Sequence, residues 1–209
     1  GETAIKVKRT IKANQWNTIC FPFAMTRVQK NEVFGEDVEL ATYGVYEIAE
    51  DGINVLFDEV RSYKGIAANL PYIIKTSKDI SEFMISSTIV PCNNAPCEGD
   101  EKIGFFYGTL KAGGKVPANC LFLNGGKFWY STGQSNIKAF RGYFKFVDVL
   151  ASLETAASKV KMVFRDETTG IKDVIVKTSN DDMYDLQGRR IVNPDKGVYI
   201  KNGKKVVVK

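Results

Sequence analysis

With 209 residues, 44% of them hydrophobic and 25% charged, the chain has the composition of an ordinary globular protein rather than a disordered one. Its 29 Lys and Arg against 24 Asp and Glu leave a modest surplus of five positive charges; the basic residues are spread along the chain and no nucleic-acid-binding motif is present, so nucleic acid is not an expected partner. Histidine is absent, which removes Ser-His-Asp and Cys-His nucleophile systems, His-ligated zinc and any imidazole pH switch.

Strand patterns begin at once. Residues 3–10 alternate, with Ile5 and Val7 on one face and Lys6 and Lys8 on the other. Residues 16–23 are apolar apart from Asn17 and Thr18, which predicts a strand buried on both faces and interrupted at Pro22. A helix follows over residues 26–34: Thr26 is placed to N-cap it, Gln29 completes a capping box, and Gly35 ends it. Its expected apolar face is Val28, Val33 and Phe34. Strands are then expected over 38–48, 53–60, 70–76, 80–86, 101–110, 120–130 and 137–146. Turn signals at Asp51-Gly52, Gly113-Gly114 and Asn124-Gly125-Gly126 separate them. Regular short strands of this kind predict an all-β fold: an antiparallel β-sandwich or partly closed barrel with one short helix.

Residues 147–159 read as a helix-tolerant or irregular connector. Asp166-Glu-Thr-Thr-Gly170 is the best domain boundary, placing a sandwich-like domain at 1–165 and a small C-terminal β-meander at 166–209. No stretch reaches the ~18 uninterrupted apolar residues of a membrane helix, so an integral membrane protein is not expected. No basic-then-apolar leader opens the chain. Gly1 reads as a tag remnant, and the rest as the C-terminal part of a longer precursor.

The last residues hold two tight hairpins. Residues 198–201 and 204–208 flank Asn202-Gly203, a dipeptide that tolerates positive φ twice and so suits a type I′ turn. This register sets Lys201 opposite Lys204, Ile200 opposite Lys205 and Tyr199 opposite Val206. The other hairpin pairs 183–186 with 189–192 across Gln187-Gly188. The run Tyr184-Asp185-Leu186-Gln187-Gly188-Arg189-Arg190, followed by Gly197, Tyr199, Asn202 and Gly203, resembles the C-terminal sorting-type domain of secreted and surface proteins of the Bacteroidota, which the type IX (Por) secretion route reads. The resemblance implies a secreted or cell-surface location, with secretion or anchoring machinery as a partner through the tail. Upstream, TIKANQWNTICFPFAM, PYIIKT and IKAFRGYFKF resemble recurring segments of Bacteroidota surface proteins of unassigned function, and imply no activity.

Candidate sites are few. Cys92 and Cys97 are spaced to close a small disulfide loop or to remain free, while Cys20 and Cys120 lie in apolar strands as buried thiols. A four-cysteine zinc site wants two short-spaced pairs and only one is present, so neither metal nor cofactor is expected. Neighbouring acids such as Glu36-Asp37, Asp58-Glu59 and Asp100-Glu101 sit in polar sequence and read as surface. A glycosidase needs two carboxyls about 5–10 Å apart across a cleft, which adjacency does not supply. No catalytic residue is therefore assigned, and an enzyme is not expected. Phe128-Trp129-Tyr130 cannot all face one way along a strand. Trp129 beside Lys127 would stack on a sugar ring or a cation, and Tyr63 lies in the loop-like Arg61-Ser-Tyr-Lys. Tyr63, Trp129 and Tyr130 are the candidate ligand contacts. The expected function is a non-catalytic adhesion, ligand-binding or structural module of a secreted or surface protein, binding a surface glycan or a protein. The alternative is a glycan-binding accessory domain or a fragment of a carbohydrate-active enzyme.

Overall fold

Short β-branched and aromatic runs between glycine- and asparagine-marked turns become strands throughout the residues that the computed structural model describes. These are 1–50, 52–146 and 160–165 in full, and the backbone of four strands between 183 and 208. The chain divides into two units, Gly1–Thr168 and Thr169–Lys209. In the first unit the early strands are β1 (Thr3–Ile11), β2 (Asn17–Ile19), β3 (Glu39–Ala49), β4 (Gly52–Glu59), β5 (Tyr72–Lys75) and β6 (Ile80–Ser87), with one described helix, α1 (Arg27–Phe34). Next come β7 (Cys97–Asp100), β8 (Gly104–Thr109), β9 (Gly114–Lys115) and β10 (Cys120–Asn124). The last four are β11 (Lys127–Ser131), β12 (Asn136–Ile137), β13 (Arg141–Lys145) and β14 (Val160–Arg165).

Two five-stranded sheets build the first unit. Sheet I has the order β14-β4-β3-β5-β2 and sheet II the order β11-β10-β13-β8-β7. Pairing is antiparallel in both except where β14 joins β4 in parallel. The core between them is aromatic: Tyr43, Val55, Phe57 and Ile73 from sheet I meet Phe106, Leu121, Phe128 and Phe144 from sheet II. Phe144 lies near its centre, with ring centroids 4.2 Å from Phe106, 5.5 Å from Phe128 and 5.8 Å from Phe57.

The other face of sheet I is covered too. Tyr72 and Ile74 alternate with Ile73 and point into a second core built with Val7, Ile11, Phe34, Ile80 and Ile85 of the β1–β6 ribbon and α1. The fold is thus mostly β, a sandwich with a third layer of ribbon and helix.

Residues 16–23 differ from the expected single strand. Only Asn17–Ile19 pairs, with β5, while Cys20, Phe21 and Phe23 stay buried beyond the strand. This segment also approaches sheet II. The Thr18 hydroxyl accepts from Gly142 N at 2.9 Å and donates to Gly142 O at 3.3 Å. Close approach needs glycine here: a Cβ on Gly108 would lie 2.4 Å from Cys20 Sγ, and one on Gly142 2.5 Å from the Phe106 ring.

The helix ends where its capping residues place it. Thr26 accepts from Gln29 N, the Gln29 side chain accepts from Thr26 N, and Gly35 N donates to Asn31 O. The buried face is different from that expected: Lys30 and Phe34 are buried, Val33 is partly so, and Val28 is 64% exposed. Lys30 is accommodated because its Nζ donates to Ser62 O at 2.8 Å and Lys64 O at 2.9 Å. Thr26→Ala should cost about 1 kcal/mol by leaving the Gln29 amide unpaired in a two-turn helix, measurable as a lower urea midpoint with unchanged far-UV circular dichroism.

In the second unit β15 (Met183–Tyr184), β16 (Arg190–Ile191), β17 (Gly197–Lys201) and β18 (Lys204–Val208) form a four-stranded antiparallel sheet of order β16-β15-β17-β18. β15 therefore lies between β16 and β17, a departure from consecutive pairing in a simple meander. The last hairpin pairs Lys201 with Lys204, Ile200 with Lys205 and Tyr199 with Val206, the register that a two-residue connection requires. The first hairpin is shifted by one. Met183 pairs with Ile191, where a two-residue turn at Gln187-Gly188 would have paired it with Val192. Only Gly188 tolerates positive φ readily, and a type I′ turn asks for two such residues. Asp185, Leu186, Gln187, Gly188, Arg189, Asn202 and Gly203 lie outside the described residues.

Candidate functional site

Alternation along sheet II turns Phe106, Leu121, Phe128 and Phe144 inward and leaves their neighbours on the opposite face. Cross-strand register then lines these neighbours up. Trp129 pairs with Phe122, Phe122 with Tyr143, Tyr143 with Tyr107, and Tyr107 with Cys97. One position from each of the five strands thus forms a single row, four of the five aromatic. At the usual interstrand spacing the row runs about 19 Å. Phe105 widens it on β8, with its ring stacked on Tyr107 at 5.4 Å, and Tyr107 stacks in turn on Tyr143 at 5.3 Å.

The solvated face of an antiparallel sheet is normally polar. Here Trp129 is 50% exposed, Phe105, Tyr107, Phe122 and Tyr143 are half-buried, and Cys97 is exposed. One end of the face is walled by the β9–β12 ribbon, where Val116, Cys120 and Ile137 form a small core against Phe122 and Tyr143. Burial pushes the Tyr107 and Tyr143 hydroxyls up from their ordinary value, so both remain protonated hydrogen-bond donors at neutral pH.

The charges on this face share one sign. Alternation places Lys127 beside Trp129, and Arg141 and Lys145 on either side of Tyr143. Lys127 and Lys145 are exposed and Arg141 is half-buried. Residues 102–146 contain seven Lys or Arg and no Asp or Glu. The positive surplus is thus concentrated in the segment that forms most of sheet II and the ribbon, although the basic residues as a whole run along the entire chain.

The three candidate ligand contacts do not converge. Trp129 lies on the row, its indole held by Nε1 donating to Asn124 O at 3.0 Å. Tyr130 points the other way, packs half-buried against the inter-sheet core and bonds through its hydroxyl to Asn119 Oδ1, so it is not part of this face. Tyr63 is 55% exposed in the loop after β4, where Arg61 donates to its hydroxyl at 3.3 Å; Lys30 anchors that loop to α1, in the layer beyond sheet I. Phe105, Tyr107, Phe122 and Tyr143 were not singled out by the sequence, although the outward turn of alternate residues in Gly-Phe-Phe-Tyr and Gly-Tyr-Phe-Lys was a usable signal.

Cys92 and Cys97 are both exposed and carry free thiols in this structure. Cys97 is fixed by its pairing with Tyr107 in β7, while Cys92 Sγ donates to Asn94 O at 2.8 Å. Gly108 N holds the loop through Pro96 O at 2.7 Å. Burial pushes the Cys20 thiol up to about 12 and also raises Cys97, where Glu98 adds to the effect. Neither is activated as a nucleophile. Among the described residues, no group of three or more Cys, Asp and Glu is gathered to hold a metal ion, and no helix is long and apolar enough to cross a membrane.

Comparison with protein-family models, curated proteins and solved structures returns no match.

Proposed function

We propose that the chain is a non-catalytic ligand-binding module of a secreted or cell-surface protein, and that the outer face of sheet II is its binding surface. The carrying observation is the row Trp129, Phe122, Tyr143 and Tyr107, a continuous band of aromatic side chains on the solvated side of a sheet. Leaving such side chains half-exposed forgoes about 1–2 kcal/mol of burial each, and aromatic patches of this kind favour association. The location half of the reading rests on the resemblance of Tyr184 to Arg190, and of Gly197 to Lys209, to the sorting-type tail.

The test is binding of the full chain to a panel of neutral and acidic polysaccharides, followed by tryptophan fluorescence and calorimetry. Trp129→Ala should weaken binding at least tenfold. Because Trp129 is half in solvent and its main anchor is a single hydrogen bond, Tm should move by no more than a few degrees. Unchanged binding by this variant would remove the face from the proposal.

A further inference from the structure

We infer that the polymer recognised by this face is acidic: a polysaccharide bearing uronate or sulfate groups, laid along the aromatic row with its anions on Lys127, Lys145 and Arg141. The inference rests on the ligand-binding reading of sheet II and specifies its ligand.

Charge decides the class. Elsewhere in the first unit several exposed cations have carboxylate partners: Lys6 with Glu82 at 2.9 Å, Lys12 with Asp79 at 2.7 Å, Lys75 with Glu39 at 2.8 Å and Arg165 with Asp58 at 2.7 Å. Lys127 and Lys145 have no carboxylate partner among the described residues, and the stretch 102–146 offers them none. A neutral ligand would gain only ordinary hydrogen bonds from this arrangement. An acidic chain gains at each cation, and its approach is steered by the single sign of the face.

Ring geometry separates a glycan from a single-stranded nucleic acid. Bases bind by stacking on free aromatic faces. Here Tyr107 has Phe105 on one side and Tyr143 on the other, at interplanar angles of 24° and 25°, so its faces are already covered. Tyr107 and Tyr143 keep protonated phenolic hydroxyls, groups that can bond to sugar hydroxyls. Among the described residues no ring is stacked on Trp129, which leaves one place for a sugar ring to lie flat. The aromatic part of the row, four strands wide or about 14 Å, accommodates an oligosaccharide stretch rather than a single sugar.

The probes are polygalacturonate, the same polymer with its carboxyls fully methyl-esterified, a sulfated galactan and a single-stranded oligothymidylate, each titrated against the full chain at two salt concentrations. Polygalacturonate or the sulfated galactan should bind at least tenfold more tightly than the ester, and more weakly at high salt. The double variant Lys127→Glu/Lys145→Glu should lose at least tenfold with unchanged Tm. Equal binding of the ester and the acid would overturn the acidic assignment while leaving the ligand-binding reading intact. Oligothymidylate binding as tightly as the acidic polymers would replace the glycan with nucleic acid. If no polymer binds and the chain instead dimerises through this face, abolished by Trp129→Ala, the occupant is a second copy. If nothing binds and the chain is monomeric, both readings fall.

Discussion

Replacing Arg9 with methionine is expected to lower the stability of the first unit by about 2–5 kcal/mol, the cost of leaving buried carbonyls without their donor. Arg9 lies on the buried side of β1 between Val7 and Ile11 and is only 3% exposed. Its guanidinium faces three carbonyls: Nε donates to Phe140 O at 3.0 Å, Nη2 to Thr18 O at 2.6 Å, and Nη1 to Thr10 O. One side chain thus ties the β1 ribbon to β2 and to the turn entering β13. Burial, with Arg141 nearby, lowers its pKa to about 9, still high enough for the charge to be kept at neutral pH. Methionine fills similar space but leaves Phe140 O and Thr18 O facing an apolar group, each at about 1–3 kcal/mol. Phe140 adds to the cost, since it holds φ at 59°, a left-handed conformation unfavourable for a bulky residue. Arg9 and the Phe140 N to Thr109 O bond of 2.6 Å are what hold it there. Urea unfolding followed by tryptophan fluorescence measures the loss. Arg9→Lys should fall between the two, having the charge but not the three-pronged reach. A methionine variant with the wild-type midpoint would show that the carbonyls find other partners.

Features set by a few neighbouring residues could be read from the sequence, and features set by distant pairing could not. The helix ends followed from Thr26, Gln29 and Gly35 because a capping box is closed within four residues. Its buried face did not. Val28 is six residues from Phe34, well round the helix at about 100° per residue, whereas Lys30 is four away and shares Phe34's side. Lysine entered the core only because the carbonyls of Ser62 and Lys64 were brought to its ammonium by a loop more than thirty residues on. The same division holds in the second unit, where Asn202-Gly203 defined its hairpin but Gln187-Gly188, with one permissive residue, left the register open by one.

The binding face follows this rule as well. Trp129 was legible because three aromatics in succession must alternate along a strand. The row it belongs to draws on residues 97, 107, 122, 129 and 143, and becomes a surface only when the order β11-β10-β13-β8-β7 is known. Strand order is a tertiary property with no local signature. The acid-free stretch at 102–146, by contrast, was present in the sequence from the outset. It gained meaning only once those residues proved to form most of one sheet and its ribbon.

The first unit should be more stable at pH 5 than at pH 7.5, and Glu98 should be the cause. Glu98 lies on β7, on the side opposite Cys97, and accepts from Tyr43 N at 3.1 Å, an amide beside the irregular step between Tyr43 and Val45 in β3. Burial disfavours its charged form, the Tyr43 amide partly offsets this, and nearby Asp58 adds repulsion; together they raise its pKa from 4.5 to about 7. A carboxyl with a raised folded pKa holds a proton that the unfolded chain has already lost. Stability is therefore fully present below pH 4.5, falls as pH climbs through the window to 7, and is level above it. Complete exclusion from water would make that change about 3 kcal/mol, and partial exposure reduces it to about 2 kcal/mol. Asp79, whose pKa is lowered by the Ala13 amide and by Lys12, and Glu82, lowered by Lys6, act with the opposite sign but only below their ordinary values of 3.8 and 4.5. The chain has no histidine to titrate within the window, which isolates the effect. Glu98→Gln retains an oxygen for Tyr43 N and has no charge to bury. It should raise Tm at pH 7.5 and flatten the profile between pH 5 and 7.5. A wild-type Tm already flat across that range, or a slope surviving in the glutamine variant, would remove Glu98 from this role.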